Sequence, residues 1–183
     1  MTSTCLKELS TKLKENIQQI KLLLLDVDGV LTDGKLYFGN DGNEYKAFNT
    51  LDGHGIKILQ KSGVKVGIIT GRKSALVEKR ARDLGIEILV QGREDKYTAL
   101  KEILAEHNFA LNQIAFIGDD YPDLTVMTKV GFAVTVANAL PVMVEHAHWQ
   151  TTRNGGEGAV RETCDLIMQV QGTFDAALSP YLQ

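Results

Sequence analysis

Short apolar runs that break off abruptly in polar clusters constrain this chain more than any other feature. Leu22–Leu25 runs into Asp26-Val27-Asp28-Gly29, Val64–Ile69 into Thr70-Gly71-Arg72, and Ile114–Ile117 into Gly118-Asp119-Asp120. A run that is apolar at consecutive positions must bury both faces, which is the signature of a parallel strand covered on two sides. Ile86–Val90 and Ala133–Val136 read as further strands. Between them the spacing turns helical over 55–61, 73–84 (with Leu76, Val77, Ala81 and Leu84 on one stripe), 96–107, a short helix opened by Pro141, and 159–171. Strands alternating with helices predict an α/β fold with one parallel sheet and helices on both of its faces. At 183 residues the chain is expected to form a single domain over 1–183.

Four segments lie outside this alternation. Leu6, Leu9, Leu13, Ile17 and Ile20 recur at helical spacing and predict an amphipathic helix within residues 1–20. Residues 35–38 and 44–48 flank the turn-forming Gly39-Asn40-Asp41-Gly42-Asn43, so 35–48 reads as a β-hairpin. Arg153 to Gly158 is glycine-rich and reads as a flexible joint, and residues 172–183 form a tail.

Composition closes off several classes. No apolar stretch approaches the roughly 20 residues a membrane span needs. With 20 basic against 23 acidic residues the net charge is -3, so no basic field is offered to nucleic acid. The two cysteines, Cys5 and Cys164, show no CxxC spacing and read as free thiols of a reducing cytoplasm. His107, His146 and His148 lack the spacing of a metal site, whereas His54 between two glycines is balanced between packing and substrate contact.

Ligands of an open parallel sheet bind outside the carboxyl ends of its strands. The polar clusters stand at those ends. Asp26 and Asp28, two residues apart in extended chain, are expected to point the same way, with Asp119 joining them from a neighbouring strand. Three converging carboxylates repel one another unless a cation compensates, and oxygen donors without His or Cys favour Mg²⁺. Thr70 with the backbone N–H groups that follow it suits a phosphate, and Lys96 adds positive charge. Together they make a phosphoryl-transfer site.

The four groups Asp26-x-Asp28-Gly29-Val30-x-x-Asp33-Gly34, Ile68-Ile69-Thr70-Gly71-Arg72, Lys96 and Gly118-Asp119-Asp120-x-x-Asp123 resemble the four motifs of the haloacid dehalogenase superfamily of phosphatases. Gly39-Asn40-x-Gly42-x-Glu44, Ala47-Phe48-Asn49, Asp52-Gly53-x-Gly55-Ile56 and Gly156-x-Gly158-Ala159-Val160-Arg161-Glu162 further resemble a subfamily that hydrolyses an eight-carbon 3-deoxy sugar acid 8-phosphate in lipopolysaccharide precursor synthesis. The resemblance covers about residues 20–172 and implies a Rossmann-like fold. By it, Asp26 is the nucleophile that becomes an aspartyl-phosphate, and Asp28 is the general acid and then the base. Thr70 and Lys96 hold the phosphate, and Mg²⁺ sits on the Asp26 carboxylate, the Asp28 backbone carbonyl and Asp119. Asp120 and Asp123 support them. Substrate contacts fall to Asp28, Asn49, Thr50, Leu51, Asp52, Gly53, Lys57, Arg72, Arg80 and Lys96. The chain departs from the subfamily pattern at Thr50, Leu51 and His54, and carries Lys57 where arginine is usual.

Superfamily members often insert a cap domain at one of two points. Thr70 follows Asp28 by 42 residues and Lys96 follows Thr70 by 26, gaps that the hairpin and single helices nearly fill. The expectation is a capless fold with a protruding hairpin, whose open site another copy of the chain or a large substrate must cover. The resemblance implies a homotetramer, with a small sugar acid phosphate as substrate and neither nucleic acid nor membrane as partner. Two other readings compete: the same chemistry on a sialic-type 9-phosphate or a nucleic-acid end, and a phosphate-binding scaffold without catalysis.

Overall fold

The computed structural model of the chain describes residues 9–182; Cys5 and Leu6, both part of the sequence expectations, lie outside them. Six strands, β1 (Leu22–Leu25), β4 (Lys65–Thr70), β5 (Ile88–Gln91), β6 (Ile114–Gly118), β7 (Phe132–Thr135) and β8 (Trp149–Gln150), pair in the order β5-β4-β1-β6-β7-β8, every pairing parallel. A separate antiparallel ribbon joins β2 (Tyr37–Phe38) to β3 (Glu44–Tyr45). The helices are α1 (Thr11–Gln18), α2 (Thr50–Lys61), α3 (Ala75–Leu84), α4 (Lys96–His107), α5 (Tyr121–Met127), α6 (Pro141–His146), α7 (Ala159–Gln171) and α8 (Phe174–Leu178).

Strand alternation divides the core in two. Leu23, Leu25, Val66, Ile68, Ala115 and Ile117 face a layer built by α1, α2, α3 and α7. Leu22, Leu24, Ile69, Ile114 and Phe116 face α4, α5 and α6. All four leucines of β1 are fully buried, as a strand in the middle of a doubly covered sheet requires. After β1 the chain builds β4 and β5 on one side, then crosses to β6 and β7 on the other. β1 is therefore the switch point of the sheet, and a crevice opens at its carboxyl end.

Several boundaries differ from the sequence expectation. Helix α2 begins at Thr50, capped by the Asn49 side chain accepting the Leu51 N–H at 2.8 Å, and not at residue 55. Gly53 and Gly55 each weaken a helix by about 1 kcal/mol and so masked its first turn. In the fold they admit close neighbours instead, the Arg80 and Leu84 side chains at Gly53 and Arg161 of α7 at Gly55. The hairpin strands are two residues each, shorter than 35–38 and 44–48. β8, a two-residue edge strand, gave no periodicity to read. The tail packs on its own chain: Phe174 and Ala177 rest against the core, and the Tyr181 ring meets His54 of α2 edge-on at 5.5 Å.

The glycine-rich stretch 153–158 is not a loose joint. Glu162 of α7, buried, accepts the N–H groups of Thr152 and Arg153 at 3.0 and 3.1 Å and the Thr152 hydroxyl at 2.9 Å. Gly155 N–H donates to Asn138 Oδ1 at 2.9 Å, and Gly156 N–H to the Val30 carbonyl at 2.9 Å. A Cβ on Gly155 would overlap the backbone carbonyl of Gly29. The stretch is a brace pressed against the loop that follows β1. Gly155→Ala is expected to lower stability by at least roughly 1–3 kcal/mol, the usual cost of overpacking, because the obstacle is backbone and cannot rotate away. Thermal unfolding beside the wild type measures it, and an unchanged melting temperature would show that the brace yields.

Candidate active site

Asp26 stands directly after β1, with its N–H bonded to the Ile117 carbonyl of β6 at 3.1 Å and its side chain buried. The chain then turns: the N–H groups of Val30, Leu31 and Thr32 all return to the Val27 carbonyl, and the Thr32 hydroxyl receives the N–H of Gly29 and of Gly34. Gly29 makes this turn with φ +96°, and a Cβ there would strike the Asp119 carboxylate, so only glycine lets the two strand ends approach.

Lys96, at the first turn of α4 and 3% exposed, reaches Asp26 Oδ1 at 2.8 Å and Asp123 Oδ1 at 2.6 Å. The second oxygen of Asp123 accepts the N–H groups of Asp119 and Asp120 at 3.0 and 3.3 Å, which fixes the loop after β6. Thr70, 2% exposed at the end of β4, closes another side of the cleft. Asp26, Asp28, Thr70, Arg72, Lys96, Asp119, Asp120 and Asp123 all line this one cleft of about 390 Å³, with Glu94, Pro122 and Leu36 at its wall.

Burial desolvates Asp26 and, with the charge of Asp123, raises its pKa against the pull of Lys96. Burial likewise raises the Asp119 carboxyl to about 7, helped by the charges of Asp26 and Asp123. Burial opposes the charge on Lys96, yet Asp26 and Asp123 outweigh it and keep the amine cationic. Asp119 Oδ1 is buried without a hydrogen-bond partner. Carboxylate oxygens of Asp26, Asp119 and Asp123 lie within 4.8 Å of one another. A crowded, oxygen-only donor set with an orphaned buried oxygen fits a hard divalent cation.

The expected trio of carboxylates needs one correction. Asp28 does not join Asp26 and Asp119; Asp123 does. The reason is the turn at Val27, which breaks the two-residue alternation that extended chain would have imposed. The Asp28 side chain swings to the hairpin side of the cleft, where Lys46 binds its Oδ1 and Arg72 Nε stands 3.7 Å from Oδ2. Asn49, Thr50, Leu51, Asp52, Gly53, Lys57 and Arg80 do not line the cleft of their own chain. Asp52 is buried and accepts the Arg161 N–H at 2.8 Å, Arg80 donates to the Asn49 carbonyl at 3.0 Å and lies over the Phe48 ring, and Lys57 is exposed on α2. His148 Nδ1 accepts the Ala133 N–H at 2.8 Å, a packing role. Sequence reasoning missed Lys46, although alternation from Glu44 in the extended reading 44–48 puts Lys46 on the same face.

A parallel sheet carrying a buried aspartate after its switch-point strand, with a lysine, a threonine and a loop of aspartates on the adjoining ends, defines a haloacid dehalogenase-like hydrolase. Residues 86–162 match the family model of that description. Across 175 residues the chain is 47% identical to the 3-deoxy-D-manno-octulosonate 8-phosphate phosphatase of Salmonella typhi, covering 96% of this chain and 93% of that protein. It belongs to the family of these phosphatases. The crystal structure of the Moraxella catarrhalis phosphatase of that name, in complex with magnesium, phosphate and KDO, superimposes with a TM-score of 0.91 at 41% identity, covering 93% of this chain and 98% of that one. A probable phosphatase from Pseudomonas syringae superimposes with a TM-score of 0.93 at 55% identity, covering 95% of this chain and 99% of that one.

The raised Asp119 carboxyl has a consequence for the metal-free protein. Between 3.8, its ordinary value, and about 7, the folded state holds a proton that the unfolded chain has released, so this group's contribution to stability is lost as pH rises through that window. Asp119→Asn is expected to melt higher than wild type in EDTA, with an advantage that grows from about pH 5 to about pH 8. A variant whose advantage stayed constant across that range would show that Asp119 is not the strained group.

Proposed function

We propose that this chain is a Mg²⁺-dependent phosphoric monoester hydrolase that cleaves 3-deoxy-D-manno-octulosonate 8-phosphate to 3-deoxy-D-manno-octulosonate and phosphate in lipopolysaccharide precursor synthesis. The observation that carries the reading is one cleft in which a buried aspartate is bonded to a buried lysine beside Thr70, in a chain with full-length relatives of that activity. Asp26 and Asp119 would hold the cation through carboxylates and Asp28 through its backbone carbonyl, while Asp123, already engaged with Lys96 and two N–H groups, supports them. Bound Mg²⁺ supplies positive charge for the phosphoryl oxygens.

Asp26 is the nucleophile. Its carboxylate oxygen forms a bond to phosphorus as the bond from phosphorus to the sugar oxygen breaks, and Asp28 gives its proton to that departing oxygen. Water then attacks the aspartyl-phosphate, giving its proton to the Asp28 carboxylate and releasing phosphate with Asp26 restored. Lys96 keeps Asp26 oriented and offsets charge on the transferring group, and the Thr70 hydroxyl and Gly71 backbone, which line the same cleft, would donate to phosphate oxygens. Arg72, with its side chain 44% exposed at the mouth of the cleft, would take the sugar carboxylate, a second anion besides the phosphate.

Among the described residues no cap covers the cleft, and Phe38 and Tyr45 of the hairpin are 66% and 56% exposed. A two-stranded ribbon of this kind is marginal alone. This supports a homotetramer in which a neighbouring copy covers the site, with Asn49–Gly53, Lys57 and Arg80 acting across the boundary between copies. No helix among the described residues is long and apolar enough to cross a membrane, and the free, buried Cys164 agrees with a reducing cytoplasm as the place of action.

Asp26→Asn is expected to lower turnover on the order of 10³-fold or more with folding retained, since an amide is a poor nucleophile. EDTA should abolish phosphate release and added Mg²⁺ restore it; full activity in excess EDTA would remove the metal from the reading. The sugar acid phosphate should outrank glucose 6-phosphate in kcat/KM, and equal efficiency on the two would reject the substrate assignment. Light scattering on the purified protein should give four chains per particle, and a fully active monomer would reject the assembly.

A further inference from the structure

Among the described residues, Lys46 is a shielded amine bound to a cleft carboxylate, Asp28, that this chemistry leaves without a task. It follows β3 at the base of the hairpin, and its side chain is only 2% exposed. A lysine is almost never so buried unless paired, and its partners here are Asp28 Oδ1, in direct contact, and Glu44 Oε1 at 3.8 Å. Arg72 holds the other side of the same carboxylate, with Nε 3.7 Å from Asp28 Oδ2, and donates to Glu44 at 2.9 Å. The two clamps are not equivalent. Arg72 is 44% exposed and free to turn toward an incoming anion, whereas the Lys46 amine has no solvent to turn to.

We propose that Lys46 is a positioning residue that holds the Asp28 carboxylate in its working orientation while Arg72 engages substrate. The inference rests on the reading of Asp28 as the acid and base. Asp28 sits in a turn, and its side chain has to serve the departing sugar oxygen and then the attacking water from one place. An ion pair to a shielded amine from a second element restricts its rotamer freedom, and the same pair seats a hairpin whose two-residue strands hold it weakly. The hairpin thus contributes to the reaction through one amine, without touching substrate.

The test is a double-mutant cycle on the full chain with Mg²⁺ and the sugar acid phosphate. Lys46→Met is expected to lower kcat about 10- to 100-fold, below the roughly 10²- to 10⁴-fold that a lost general acid–base costs, and to leave KM within about 3-fold. Lys46→Arg should recover most of the loss. In an Asp28→Asn background, Lys46→Met should cost less than about 2-fold further, because its target is already gone. Equal losses in the two backgrounds, or a rise in KM with kcat unchanged, would overturn the proposal. Should Lys46→Met fail to fold, Lys46→Gln carries the same comparison. Near wild-type turnover by Asp28→Asn would remove the acid–base reading and this inference with it; severe impairment of Asp28→Asn beside an intact Lys46→Met would remove this inference alone.

Discussion

Everything at the carboxyl edge of this sheet depends on one buried lysine. Lys96 lies between Asp26 and Asp123 at 2.8 and 2.6 Å, and without it no cation among the described residues would be paired with either of these two carboxylates. The triad also links three elements: the loop after β1, the first turn of α5, and the start of α4. Such a pair is costly to bury and costlier to break, because removal of one partner strands the other. A cation at Asp26 and Asp119 would finish what Lys96 begins, since Asp119 is still left with an unpartnered oxygen and a raised pKa.

Sheet position decides which residues take part. β1 is buried on both faces and receives β4 on one side and β6 on the other, so Asp26, Thr70 and Asp119 emerge from three adjacent strand ends. Gly29 keeps that approach open by having no Cβ where Asp119 must pass. The stretch 153–158, fixed by Glu162, then presses on Gly29 and Val30 from the far side. The loop carrying Asp26 is therefore gripped from two directions, by a neighbouring strand end and by the entry to α7.

The strands and strand-end residues were legible because their signal is local. Four consecutive leucines can hardly be anything but a doubly buried strand, and Lys96–His107 emerged with the bounds its pattern predicts. What escaped depends on contacts distant in sequence. The first turn of α2 was hidden by Gly53 and Gly55, whose value lies in the closeness of Arg80 and Arg161. The direction of Asp28 was misjudged because the turn at Val27 is stabilised by three returning N–H groups, not by residue preference. Glycines at 155, 156 and 158 look like freedom from the sequence alone and are close packing in the fold. Lys46 lay on a face that alternation identifies, but only the folded hairpin shows what that face meets.

The grip of residues 153–158 on the β1 loop also orders events in time. Asp26 precedes Gly155, at the centre of the brace, by 129 residues (155 − 26). At synthesis rates of about 5–20 residues per second, several seconds separate the two. During that interval β1, β4 and β6 can pair and carry Asp26, Thr70 and Asp119, but the turn at Gly29 still lacks the backbone that backs it. The turn at Gly29 is thus fully backed only once Gly155 and Gly156 have been made and Glu162 of α7 holds their stretch in place.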